Sequence, residues 1–122
     1  MSYDISLYRP EFLRRAIAEN LGDWTGADPI APETLEKVVQ WLLDRGYAME
    51  VDHPTYGKQF AHPNPAWGVE VGVYRGSVGF SIAYWEESTN AIAAVMTQAR
   101  ELAKLTGLAI HDPQSGEGSD SL

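Results

Sequence analysis

Carboxylates at alternating positions are the first residues in this sequence whose spacing bears on chemistry. Glu50 and Asp52 are two residues apart in the stretch YAMEVDH, and Glu70 stands alone among small residues in WGVEVGVY. Side chains two apart on a strand share a face, so these three predict an acidic strip if their strands are near neighbours. Two carboxyls about 5–10 Å apart in a cleft perform glycoside chemistry. The sequence contains no insertions that would build such a cleft, and this favours binding over catalysis.

The histidines, serines and glycines form no recognisable catalytic or metal-binding pattern. His53, His62 and His111 lack the i, i+4 spacing of a helical metal site, and we predict loop-capping roles for them and no metal. The chain has no cysteine, which excludes disulfides, thiolate ligands and a cysteine nucleophile. No G-x-S-x-G elbow is present, and YRGSVG is not followed by the helix that a phosphate loop requires. We therefore predict no catalytic residues, no cofactor and no enzymatic activity.

Tryptophans beside carboxylates form the second candidate surface. Trp24 lies in the loop GDWTGADP, and Trp85 ends the stretch WGVEVGVYRGSVGFSIAYW. An aromatic side chain with acidic neighbours is typical of an interaction hot spot for a basic partner, although such a loop serves equally well to pin itself to its own domain. The residues predicted to bind a partner are Asp23, Trp24, Asp28, Glu50, Asp52, Glu70 and Trp85.

Charge and composition narrow the classes of partner. The chain has 17 acidic and 9 basic residues, with a net charge of −8. Such a field repels phosphate backbones, which argues against nucleic acid, and it speeds encounter with a basic protein. No apolar run approaches the roughly 18 residues of a membrane span, and the N-terminus lacks the pattern of a signal peptide. Together with the absence of cysteine, these features predict a cytoplasmic protein that does not contact membranes.

Hydrophobic periodicity predicts the elements that must position these residues. Strand patterns cover residues 2–8, 47–53, 58–63, 67–74, 77–85 and 108–112, and helical patterns cover 9–22, 32–46 and 86–107. The order β-α-α-β-β-β-β-α-β predicts an α+β two-layer sandwich, with a mostly antiparallel sheet of five to six strands and about three helices on one face. A ferredoxin-like core with an added hairpin strand is one form of it. We expect a single domain over residues 1–115 and a disordered polar tail over 116–122.

The hairpin WGVEVGVYRGSVGFSIAYW has one large apolar face and one nearly bare face. The large side chains, which we expect the helices to cover, are Trp67, Val69, Val71, Val73, Val78, Phe80, Ile82 and Tyr84. The opposite face carries Gly72, Gly79, Ser81 and Ala83 around Glu70. Two explanations stay open. Either the rings of Tyr74 and Trp85 lie flat over small neighbours, or a loop or a partner's backbone approaches the sheet there.

The segment ELAKLTGLAIHDPQSGE, residues 101–117, carries a family resemblance. It resembles the C-terminal end of small bacterial proteins in which a helix ending in LA..TGL leads into a short strand and then DPQ.G. Some of these look like immunity proteins of polymorphic or contact-dependent toxin systems. The resemblance implies an immunity or inhibitor protein that blocks a toxin domain by steric and electrostatic occlusion. The alternatives are a small-molecule-binding or catalytic domain that dimerises through the bare face, and an adaptor in a secretion or phage assembly.

Overall fold

The elements follow one another in the predicted order. A computed structural model of the chain describes residues 2–19, 28–54, 57–64, 67–83 and 88–111. The strands are β1 (Ser2–Tyr8), β2 (Ala48–His53), β3 (Gly57–Ala61), β4 (Val69–Val73), β5 (Val78–Ala83) and β6 (Ala109–His111), and the helices are α1 (Pro10–Ala18), α2 (Pro32–Asp44) and α3 (Ser88–Thr106). This order confirms the predicted α+β class.

The six strands form one sheet in the order β2-β3-β4-β5-β1-β6, and each neighbouring pair is antiparallel. Although β1 is the first strand in the chain, it lies between β5 and β6, and α3 carries the chain across it. The order β4-β5-β1-β6 with these crossovers is that of a ferredoxin-like core. The hairpin of β2 and β3 extends this core beyond β4.

The apolar face of the β4–β5 hairpin is buried, as its alternation predicts. Val69, Val73 and Phe80 are each no more than 5% exposed, and Val71, Val78 and Ile82 are fully buried. Helix α2 covers this face with Val38, Trp41 and Leu42, and α3 covers it with Val95, Ala99 and Leu102. Each large apolar side chain buried in this way contributes about 1.5–3 kcal/mol, which is enough to fix the register of the sheet.

Glycines end two of the helices where the sequence predicts them. Gly46 follows α2 with φ of 86°, and Gly107 follows α3 with φ of 76°, in the left-handed region that glycine adopts readily. Helix α1 ends earlier than predicted, at Ala18, and Ile17 of its expected apolar stripe is 48% exposed. Helix α1 lies against β6, and the ring of its Phe12 packs 5.6 Å from the ring of Tyr8.

The sheet is wider than the pair of helices that covers it. Six strands spaced by about 4.8 Å span roughly 24 Å, whereas two helices side by side cover about 16–20 Å. Strand β2 lies at the far edge, and all six of its residues are exposed. The β2–β3 hairpin therefore projects beyond α2. Within the described residues, no helix is long and apolar enough to cross a membrane.

Candidate functional site: the open face of the sheet

The face of the sheet opposite α2 and α3, here called the open face, carries short polar side chains in two rows. Asp4 of β1 lies opposite Ser81 of β5, and Ser81 in turn lies opposite Glu70 of β4. In the adjacent row, the pairing runs through Ser6, Gly79, Gly72 and Gln59. These rows line a shallow hollow of about 240 Å³.

The open face is acidic. Asp4 and Glu70 flank Ser81, so their strands are two spacings, or roughly 10 Å, apart. Among the described strand residues, none of those that point to this face is a lysine or an arginine, since Lys58 points to the helix side. Ser81, the residue between the two carboxylates, has a small side chain, which suits close approach by another surface.

Tyr74 explains one of the small residues on this face. A Cβ atom on Gly72 would overlap the Tyr74 ring, because that ring lies flat across the glycine. This confirms the intramolecular explanation for Gly72. Among the described residues, a Cβ atom on Gly79 would have only Ser6 Oγ nearby, at 3.9 Å. Nothing in the described part of the chain therefore requires a glycine at position 79. Trp85, the second ring expected to lie over small neighbours, is outside the described residues.

The predicted acidic strip of Glu50, Asp52 and Glu70 does not form. Strand β2 has a bulge at Glu50, because Met49 pairs with Phe60 while Val51 pairs with Gln59. The extra residue moves Asp52 to the helix side, where Lys58 Nζ lies 3.0 Å from its Oδ1 atom. Val51 takes the place on the open face and is 44% exposed. Moreover, β3 separates β2 from β4, so Glu70 has no carboxylate neighbour from β2.

The other predicted partner-binding residues lie elsewhere. Asp28 accepts a hydrogen bond from Arg15 Nη2 at 3.2 Å, as part of an ion pair between the two side chains. Two residues later, the Ile30 N–H donates to the Arg75 carbonyl at 2.8 Å and ties this segment to the turn of the β4–β5 hairpin. Asp23, Trp24 and Trp85 fall outside the described residues.

Sequence reasoning missed Asp4 as a member of the site. The alternation of Asp4 with Ile5 correctly predicts that it points away from the core. Its place beside Glu70 depends on β1 entering the sheet next to β5, and local periodicity carries no information on that pairing.

His62 has the capping role that we predicted. Its Nδ1 atom accepts a hydrogen bond from the Asn64 backbone N–H at 2.9 Å, and its ring lies 5.1 Å from Tyr47 and 4.9 Å from Trp67. Burial lowers the pKa of this histidine, while the hydrogen bond with Asn64 acts in the opposite direction. In the part of the chain that the structure describes, no three histidine or carboxylate side chains cluster as metal ligands would.

Comparisons with known proteins do not assign the chain to a family. No family model matches it, and neither the curated proteins nor the solved structures give a match. The functional argument therefore rests on the geometry and charge of the open face.

Proposed function

We propose that this chain is a protein-binding module that docks a basic surface of a toxin domain on its open face, as an immunity or inhibitor protein does. The observation that carries the proposal is a sheet face that α2 and α3 leave uncovered and that presents Asp4 and Glu70 around small residues. Its mechanism is occlusion, with charge complementarity steering the encounter and disfavouring acidic competitors. The encounter would take place in the cytoplasm.

The size of the open face indicates how far the contact must extend. Strands of five to seven residues rising about 3.3 Å each, across a sheet roughly 24 Å wide, give a projected area of at most about 400–500 Å², and α1 covers part of it where Phe12 packs on Tyr8. A standard interface buries about 800 Å² on each partner. The contact therefore continues onto neighbouring segments. The segment that contains Asp28 is one such extension, because Ile30 ties it to the hairpin turn.

A homodimer through the open face is the competing arrangement. In a twofold dimer the same patch meets itself, so Asp4 and Glu70 of one copy would face the same carboxylates of the other. Each copy also carries a net charge of −8. Repulsion between these charges favours a basic partner over a second copy of this chain. Light scattering tests this directly, and a stable dimer at low micromolar concentration would favour the competing arrangement.

The proposal is tested by capture followed by rescue. The chain, tagged at its C-terminus, is used to isolate a stoichiometric partner from its source organism, and the partner is then expressed in a susceptible host. We expect the partner to arrest growth and co-expression of this chain to restore it.

Two charge-reversal variants test which surface of the chain binds the partner in this rescue experiment. Glu70→Lys places a positive charge on the open face, and Glu33→Lys makes the same change on the exposed start of α2. We expect Glu70→Lys to abolish rescue and Glu33→Lys to retain it, with both variants folded by circular dichroism. Rescue by Glu70→Lys at the wild-type level would reject the open face, and a partner without toxicity would reject the immunity role.

A further inference from the structure

A groove of about 960 Å³ lies on the helix side of the sheet, between α2 and the β2–β3 hairpin. It exists because the hairpin projects beyond α2, so that the helix forms one wall and the ends of β3 and β4 form the other. We call it the hairpin groove. Its volume is within the range of pockets that hold small organic ligands, about 300–1,000 Å³.

One wall of the hairpin groove is apolar. Leu35 and Val39 lie one turn apart on α2, and both are half-buried against the main core. Val73 of β4 faces them from the sheet and is 5% exposed. Leu35 and Val39 supply most of the exposed apolar surface that an aliphatic or aromatic body would cover, because Val73 is nearly buried.

Positive charge collects at one end of this groove. Lys58 pairs with Val73 across β3 and β4, and Arg75 follows Val73 by two residues, so both cations flank the same apolar residue. Asp52 holds the Lys58 ammonium at 3.0 Å, while Arg75 makes no ion pair with any described residue. Pro32, in the first turn of α2, also lines the groove, and the start of a helix carries a partial positive charge.

Among the described residues that line the groove, the one carboxylate lies farther along α2. Glu36 is one turn beyond Pro32, and no ion pair joins it to Arg75. The end of the groove beside Val73 therefore has Arg75 as its net positive charge, because Asp52 offsets the charge of Lys58. In a chain with 9 basic and 17 acidic residues, this arrangement is unlike the acidic open face.

We propose that the hairpin groove binds a small amphipathic anion, with a carboxylate or similar headgroup on Arg75 and Lys58 and an apolar body along Leu35, Val39 and Val73. The guanidinium of Arg75 offers a planar pair of donors to such a headgroup. This site lies on the other side of the sheet from the open face, so it does not depend on the proposed function.

Decanoate is a suitable probe, and decyltrimethylammonium provides the same tail with the opposite charge. Each is titrated, below its micelle-forming concentration, into the full ¹⁵N-labelled chain. We expect decanoate to give saturable shifts at the amides of Lys58, Val73 and Arg75, and the cationic amphiphile to give none there. Equal binding of both probes, shifts confined to other regions, or no saturable binding of decanoate would each overturn the proposal.

A matched pair of variants tests the headgroup contact. Arg75→Gln removes a guanidinium that pairs with no described residue, and Arg14→Gln removes an exposed one on α1, away from the groove. We expect Arg75→Gln to weaken decanoate binding about tenfold and Arg14→Gln to leave it unchanged, because a charge-assisted hydrogen bond contributes on that scale. Equal affinities for the two variants would contradict the role of Arg75. Glu70→Lys should bind decanoate normally, which separates a failure here from a failure of the proposed function.

Discussion

At the scale of single residues, the bare open face has two different explanations. Gly72 is small because the Tyr74 ring occupies the space that a side chain would need. Gly79 has no such neighbour among the described residues, since Ser6 Oγ at 3.9 Å leaves ordinary contact distance. The first glycine is explained by a neighbour within the described part of the chain, whereas the second is not.

This difference predicts opposite effects of the same substitution. Gly72→Ala should lower the free energy of unfolding by about 1–3 kcal/mol, because the Tyr74 ring must leave its place. Gly79→Ala should raise it by about 0.4–1 kcal/mol, because alanine fits there and restricts the unfolded chain. Urea denaturation of the two variants measures both effects. Equal destabilisation would contradict the difference that we assign to the Tyr74 ring.

Tyr47 predicts a loss of stability at alkaline pH. Its side chain is 3% exposed, and its hydroxyl donates to Gln98 Oε1 at 2.6 Å. Burial raises the pKa of Tyr47 to about 12, against a smaller opposing effect of Arg45. In the unfolded chain the hydroxyl of Tyr47 has a pKa of about 10. Its contribution to the free energy of unfolding is therefore complete below pH 10 and is lost as the pH rises to about 12.

Between pH 10 and 12 the free energy of unfolding should fall by about 1.4 kcal/mol per pH unit, because one proton is involved. Tyr47→Phe should be less stable by about 1 kcal/mol near neutral pH, because it lacks the hydrogen bond to Gln98. It should also lose less stability than the wild type between pH 10 and 12. Denaturation curves collected across this range provide the test, and identical pH profiles would show that another group is responsible.

At the scale of elements, periodicity predicted the strands and helices well but missed the bulge. Met49 and Val51 alternate with Glu50 and Asp52 as in a regular strand, yet the bulge places Met49 and Val51 on opposite faces. The sequence pattern does not indicate the bulge, because β2 is an edge strand with both faces exposed. In a buried strand, a wrong register would expose apolar side chains and cost free energy, but this constraint does not apply to β2. Buried strands such as β4 were predicted correctly for the same reason.

Deletion of Glu50 should leave the fold intact and promote self-association. Without the extra residue, Met49, Val51 and Asp52 keep their present faces, so we expect the free energy of unfolding to change by no more than about 1 kcal/mol. The flatter edge would present a regular row of backbone groups to another chain, which a bulge normally obstructs. Sedimentation velocity at increasing concentration measures this. A deletion variant as monomeric as the wild type would contradict the protective role of the bulge.

At the scale of the whole molecule, strand order creates both candidate surfaces. Asp4 approaches Glu70 only because the first strand inserts beside β5, and the hairpin groove opens only because β2 and β3 extend past α2. Local patterns predicted the α+β class, since it follows from the order of elements. They did not predict which charges meet, because pairing of distant strands depends on the crossovers and on helix packing.

The net charge of −8 makes a prediction for the association rate with the proposed basic partner. Electrostatic steering is screened by salt over about 10 Å at 0.1 M ionic strength, so the rate should fall steeply as salt is added. Glu70→Lys should show a shallower salt dependence than Glu33→Lys if the open face guides the approach. Stopped-flow measurements at several salt concentrations test this, and equal slopes would place the steering charges elsewhere.

The most direct test of our central claim is the affinity of the captured partner for Gly79→Val, compared with Ala93→Val. Both variants place a valine side chain on a surface, one on the open face and one on the exposed side of α3. A Cβ atom at position 79 meets only Ser6 Oγ among the described residues, and valine favours a strand, so Gly79→Val should not lower the melting temperature. We predict that it weakens the complex tenfold or more while Ala93→Val leaves the affinity unchanged. Wild-type affinity for Gly79→Val would contradict the claim that a partner docks on the open face.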